Sequence, residues 1–186
     1  MTATFVALLR GINVGGNNII KMAELRAAFE RKGFQNPVTY INSGNVIFQS
    51  DLDENAVKTI CEKLIADDFG LTVSVCIISA IELQEALAHA PEWWNKTPET
   101  RHDAFFTLPP MSAEEICAHV GAVKDDYEKV SFYGRVIFWS APMATFSRTR
   151  WSKISKDKGM YNAITVRNAN TAIKLAELAA MRIGEK

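Results

Sequence analysis

The segment PVTYINSGNVIF, residues 37–48, reads as two β-strands joined by a tight turn. Val38, Tyr40 and Asn42 alternate along the first arm, Ser43-Gly44 supplies the turn, and Val46 to Phe48 return as the second arm. Apolar alternation broken by a Ser-Gly pair is the pattern of a hairpin. Immediately upstream, Met22, Leu25 and Phe29 fall at helical spacing, with Glu24 in the first turn, Arg31 and Lys32 in the last, and Gly33 as a C′ residue. Further back, Phe5 to Leu9 is short and continuously apolar, as a central strand buried on both faces requires. Downstream of the hairpin, Asp53 can cap a helix carrying Val57, Ile60, Leu64 and Ile65 that ends before Gly70. Val73, Val75 and Ile77 then alternate with Thr72, Ser74 and Cys76, the pattern of a half-exposed edge strand. Ser79 with Glu82 forms a capping box for one more helix, which Pro91 ends. The order β-α-β-β-α-β with a trailing helix is that of the split βαβ, or ferredoxin-like, unit.

The second half repeats the order. Ala104 to Leu108 is a strand, and Ser112 with Glu115 opens a helix through Ile116 and Val120. Val130 to Phe132 and Val136 to Trp139 form a hairpin around Tyr133-Gly134. A helix is expected within 146–157, then a strand over Ile164 to Val166 and a closing helix from about Asn168. The repeat is one of architecture, without internal identity. The reading is therefore α+β: two ferredoxin-like βαββαβ units in tandem, each followed by an extra helix. Residues 1–90 form the first unit and 104–186 the second with its closing helix, and 91–103 connect them. In that polar, proline-punctuated connection, Trp93 and Trp94 are expected to pack the halves together rather than bind a ligand.

Composition narrows the function classes. The formal net charge is +0, so no bulk field draws nucleic acid or an anionic membrane, and any steering comes from local patches. No stretch approaches the roughly 20 apolar residues that span a bilayer, and MTATFVALLR lacks the basic region of a secretion signal. A cytoplasmic protein is expected. Cys61, Cys76 and Cys117 form no CxxC pair and lie in apolar periodic segments, so they read as buried, reduced thiols.

Three glycines within six residues, Gly11, Gly15 and Gly16, make LRGINVGGNNIIKM at 9–22 the candidate site. Such a loop gives up backbone stability for conformations that only glycine adopts cheaply. Because the first and third strands of the unit are antiparallel neighbours, Arg10 and Gly11 are expected beside Asn45 and Val46. That juxtaposition gathers Arg10, Asn13, Asn17, Lys21, Ser43 and Asn45 into a donor-rich cluster without an acid, the composition of a site for an anion or a carbonyl-rich ligand. The plainer reading is that these glycines and asparagines only build turns. The loop lacks the GK[ST] of a P-loop, and GINVGG does not match GxGxxG.

A second group lies near the C-terminus. Arg167, Thr171 and Lys174 share one face of the closing helix, with Asn168 as its N-cap. Upstream, Arg148, Arg150, Lys153, Lys156 and Lys158 surround Trp151, which points either to phosphate or single-stranded nucleic acid or, more commonly, to a solvated helix face. Support for catalysis is thin. His89, His102 and His119 lie near no candidate nucleophile in sequence, Ser43 lacks the GxSxG elbow, and the Asp67-Asp68 and Asp125-Asp126 pairs look like element ends rather than metal ligands.

LRGINVGG at 9–16, TYINSGNVIF at 39–48 and TVRNANT followed by Lys174-Leu175 at 165–175 together resemble a widespread bacterial family, catalogued as domain of unknown function 1697. The resemblance implies a duplicated ferredoxin-like α+β architecture and supplies no activity or cofactor. Its motif falls on Arg10, Gly11, Asn13, Gly15, Gly16, Met22, Ser43, Gly44, Asn45, Arg167, Asn168, Thr171 and Lys174. The chain departs from the family pattern at Asn17, where lysine is frequent, at Ile19, where some members carry a further basic residue, and at Ala169, where many carry tryptophan.

The leading expectation is a protein that binds a small or polymeric phosphate-bearing ligand, nucleic acid included. Arg10 and Lys21 supply charge, and the closing helix brings Arg167 and Lys174 to the same groove. The rivals are an enzyme on a small anionic substrate that works by electrostatic stabilisation, and an interaction module pairing through the edge strand at Val73 to Ile77. The expected state is a monomer or small homo-oligomer, with no metal site.

Overall fold

The computed structural model describes residues 2–123 and 126–183. The chain divides into two compact units, one comprising Met1–Gln84 with Lys174–Lys186 and the other Glu85–Ile173.

In the first unit, β1 (Ala3–Leu9), α1 (Met22–Arg31), β2 (Gln35–Tyr40), β3 (Asn45–Ser50), α2 (Glu54–Phe69), β4 (Val75–Ser79) and α3 (Ala80–Ala88) follow the expected order. Residues from Glu85 on, at the end of α3, are grouped with the other unit. The four strands form one antiparallel sheet in the order β2-β3-β1-β4. One face carries Phe5, Ala7, Leu9, Val46, Phe48, Val75 and Ile77 and packs against Leu25 and Phe29 of α1 and Val57, Cys61 and Leu64 of α2. Phe29, Phe34 and Phe48 cluster at its centre, with ring centroids 4.6–5.3 Å apart. Helix ends follow local chemistry. The Asp53 carboxylate accepts from Ala56 N at 2.9 Å, and Gly70 closes α2 in the left-handed region at φ 66. Pro37 lies on β2, at the sheet edge, where a missing N–H costs no ladder bond.

Two details differ from expectation. The β1–β3 register sets Leu8, not Arg10, opposite Asn45, because Leu9 N already donates to Gly44 O at 2.8 Å and ends the ladder there. The slip is two residues, so each side chain keeps its face. The fourth strand starts at Val75 and is buried on both faces rather than half-exposed. Its edge is also partly covered, since the Glu62 carboxylate accepts from Val75 N at 3.1 Å. On the other face, Thr4 Oγ1 and Gln49 Nε2 both donate to the Arg182 carbonyl, at 3.2 and 3.0 Å.

The second unit holds β5 (Thr100–Thr107), α4 (Ala113–Val120), β6 (Lys129–Tyr133), β7 (Val136–Pro142), the short α5 (Lys158–Asn162) and β8 (Ile164–Asn168). The last helix, α6 (Ala169–Ala180), begins here and continues into the first unit from Lys174. The sheet order is β6-β7-β5-β8, again antiparallel, so both units have the ferredoxin-like strand order. Ser112 and Glu115 form the expected capping box. The expected helix within 146–157 is instead two 3-10 segments, Phe146–Arg148 and Trp151–Lys156. β5 begins at Thr100, four residues early, because its polar residues are paired rather than solvated. Arg101 Nε donates to Asp103 at 2.7 Å, and His102 bonds across the sheet to Ser140. Trp94 is buried inside this unit, its Nε1 donating to Asp103 O at 3.1 Å and its ring edge-on to Phe138.

Candidate functional site

The glycine loop leaves β1 at Leu9 and re-enters structure at α1, and asparagines hold it in shape. Asn13 lies in the left-handed region at φ 53 and spends its whole amide on the loop. Its Oδ1 accepts from Ile20 N at 2.8 Å, while Nδ2 donates to Ile20 O at 2.9 Å and to Asn42 O at 2.8 Å. That last bond joins the loop to the hairpin turn, so the two segments meet as expected although the strand register differs. Asn18 Nδ2 donates to Gly11 O, and Asn13 N to Asn18 O, both at 3.1 Å. Asn17 N donates to Val14 O in a small turn over Gly15 and Gly16. In the hairpin, Asn45 is fully buried, its Nδ2 donating to Tyr40 O and Ser43 Oγ. Asn13 and Asn45 are therefore scaffold, and their donors are used up.

The glycines divide into two kinds. Gly44 is steric: a Cβ there would lie 2.6 Å from Ile12 Cδ1 and 2.9 Å from Leu9 Cβ, at φ 73. Around Gly11, Gly15 and Gly16 the space is open, with only Asn17 Nδ2 within 4 Å of a Cβ on Gly15. All three have positive φ, which is why the chain uses glycine. The backbone N–H groups of Gly15 and Gly16 meet no protein acceptor among the described residues. Beside them lies an open depression of about 470 Å³ lined by Asn13, Gly16, Ile19, Lys21, Met22 and Asn42. Lys21 is its cation, with 78% of the side chain exposed, and Nζ lies 3.2 Å from Glu24. The cluster expected from sequence has no acid, whereas here Glu24 supplies one. Arg10 is half-buried at the start of the loop, its backbone N donating to Ser74 O at 3.1 Å. Ile19 of this lining is 71% exposed, and Val14 in the loop and Ile41 in the hairpin turn are 63 and 48% exposed.

The C-terminal candidates are engaged in their own surroundings. Arg167 is buried in β8, and Nη1 donates to Thr165 Oγ1 at 3.2 Å and Val166 O at 2.8 Å. Asn168 Oδ1 accepts from Asn170 N at 3.0 Å, as a cap does. Thr171 is half-buried, and Lys174 Nζ donates to Glu177 at 3.0 Å. Trp151 cannot stack on a nucleobase. It is buried in the second unit's core, 5.0 Å from Phe105 and edge-on to it. Of the Asp125-Asp126 pair, Asp125 lies outside the described residues. Among the described residues no three His, Cys, Asp or Glu side chains gather as a metal site.

The model of a family described as "Protein of unknown function (DUF1697)" matches residues 1–138, three quarters of the chain. The chain belongs to the DUF1697 family. Among solved structures, a conserved bacterial protein from Streptococcus pneumoniae is 29% identical, with a TM-score of 0.85 over 96% of this chain and 99% of that one. No curated protein matches. For DUF1697 this fixes family and fold, and no helix among the described residues is long and apolar enough to cross a membrane.

One pair escaped sequence reading altogether. His102 and Ser140, 38 residues apart, face each other across β5 and β7 in a buried polar contact. Period-two alternation could have set each on a strand, but not in this register.

Proposed function

We propose that this DUF1697 member is a binding protein whose site is the glycine loop of the first unit, and that its ligand carries a phosphate or another compact anionic group. The observation that carries the reading is the pair of N–H groups at the exposed Gly15 and Gly16 that meet no protein acceptor among the described residues, on a loop that Asn13 and Asn18 hold in advance. Consecutive backbone donors of this kind favour an anion, and Lys21 adds charge within reach of the same depression. Preorganisation lowers the ordering cost of binding. Two or three charge-assisted hydrogen bonds at about 1.5–3 kcal/mol each must still overcome the entropy of association, so affinity for a small ligand is micromolar or weaker. Glu24 tempers the site by competing for Lys21.

Amide chemical-shift titration with inorganic phosphate, nucleoside and sugar phosphates, and short oligonucleotides tests the reading. Shifts centred on Gly15 to Lys21 that weaken in Lys21→Glu are expected. Their absence at millimolar ligand removes the proposal. A second reading, an interaction module, is favoured by the exposed Val14, Ile19 and Ile41. It predicts capture of an apolar protein surface that Ile19→Asp abolishes. An enzyme is the weaker reading, since Lys21 and Glu24 at the loop already pair with each other.

A further inference from the structure

A cavity of about 330 Å³ in the second unit has a different character. Its floor is a cross-strand row on one sheet face, His102 on β5, Ser140 on β7 and Lys129 on β6, successive neighbours in register. Trp93, Thr97 and Tyr127 also line it. His102 and Ser140 are 5 and 4% exposed. His102 Nε2 contacts Thr97 O at 3.1 Å. A carbonyl only accepts, so Nε2 carries the proton, and in the neutral ring Nδ1 accepts the Ser140 hydroxyl proton. Ser140 is left with free oxygen lone pairs, and the hydroxyls of Thr97 and Thr100 add donors and acceptors to the same lining. Apolar side chains at these facing strand positions would be buried without a desolvation cost, so a polar pair turned to a cavity asks for a use. Charge does not select the occupant, because Lys96 and Lys129 are balanced by Asp126 and Glu128. Glu128 in turn is buried, accepting from Trp139 Nε1, Arg150 N and Trp151 N at 2.8–3.2 Å.

We infer that this cavity is a second binding site, for a neutral planar aromatic or heteroaromatic molecule of one or two rings, the size of a nucleobase or an indole. Trp93 and Tyr127, both half-buried, offer ring surfaces, and the volume lies at the small end of ligand pockets. The Ser140–His102 pair reads the ligand's polar edge. The site is independent of the glycine loop, whose amides report separately.

Amide and indole shift titrations of the intact chain with adenine, indole, benzoate and cyclohexanol test it. Adenine or indole should shift Thr97 to His102, Lys129, Ser140 and the Trp93 indole, with benzoate weaker and cyclohexanol silent. Ser140→Ala and Trp93→Ala should each raise the Kd at least about tenfold, a loss of about 1.4 kcal/mol, while a melting curve reports the fold. Should Ser140→Ala fail to fold, Trp93→Ala, at a half-exposed position, carries the test alone. No shift at millimolar aromatic, binding unchanged in the variants, or cyclohexanol and benzoate binding as well as adenine would each overturn the assignment.

Discussion

At the scale of single residues, the glycines of the loop and of the hairpin turn are not equivalent. Gly44 combines positive φ with a Cβ position already filled by Ile12 and Leu9, whereas Gly16 has positive φ and open space. Gly16→Ala should therefore cost about 1–2 kcal/mol, the penalty of left-handed backbone alone. Gly44→Ala adds overpacking of about 1–3 kcal/mol. Urea denaturation of the two variants measures the gap, and equal midpoints would contradict it. Thiol chemistry is equally local. Burial pushes the Cys61 thiol far up, the Glu62 charge adding to it, and burial pushes Cys117 up to about 11. Neither is appreciably thiolate near neutral pH, so native protein should react slowly with a disulfide reagent and rapidly once denatured. Fast labelling of Cys61 in the folded state would show that its helix opens.

At the scale of elements, two exposed carboxylates and one buried carboxyl pull stability in opposite directions with pH. Glu115 is held below its usual range by the Ser112 backbone and side-chain hydrogen bonds. Asp157 is held low chiefly by His119, 3.0 Å away, and by the first amides of α5. For both, the folded state binds fewer protons than the unfolded chain, so their stabilisation is present above the ordinary carboxylate value and lost as pH falls through the folded one. Burial raises Asp103, with Arg101 opposing it, so its contribution runs the other way: stability falls as pH rises from the ordinary value through the folded one. Asp103→Asn should flatten that second slope, and Asp157→Asn the first, in melting temperatures taken from pH 3 to 7. Exchanged effects would refute the assignment. The caps at Ser112, Glu115 and Asp53 were legible in sequence because these residues act on amides three residues away. The two 3-10 segments were not, since Trp151 and Ile154 are drawn into the core at a spacing of three that a helical reading also accepts. The candidate loop was found from its glycines. That Asn13 would spend every donor on it depended on contacts with Asn42, 29 residues on.

At the scale of the molecule, the first unit is built from two separated pieces of chain. Leu175 and Ala179 of α6 are fully buried, and the Arg182 carbonyl takes hydrogen bonds from Thr4 and Gln49, neighbours on β1 and β3. Ending the chain at Ile173 removes that acceptor and the burial of Leu175 alone, worth about 1.5–3 kcal/mol. Hydrogen exchange should then rise through β1–β4 while β5–β8 stay protected, and equal loss in both sheets would contradict it. The second unit is one unbroken run, Glu85–Ile173. On the ribosome the usual N-to-C order of completion is therefore inverted. The unit made first must wait, its sheet lacking the Arg182 carbonyl, until the segment from Lys174 leaves the exit tunnel, while the unit made later can already have closed.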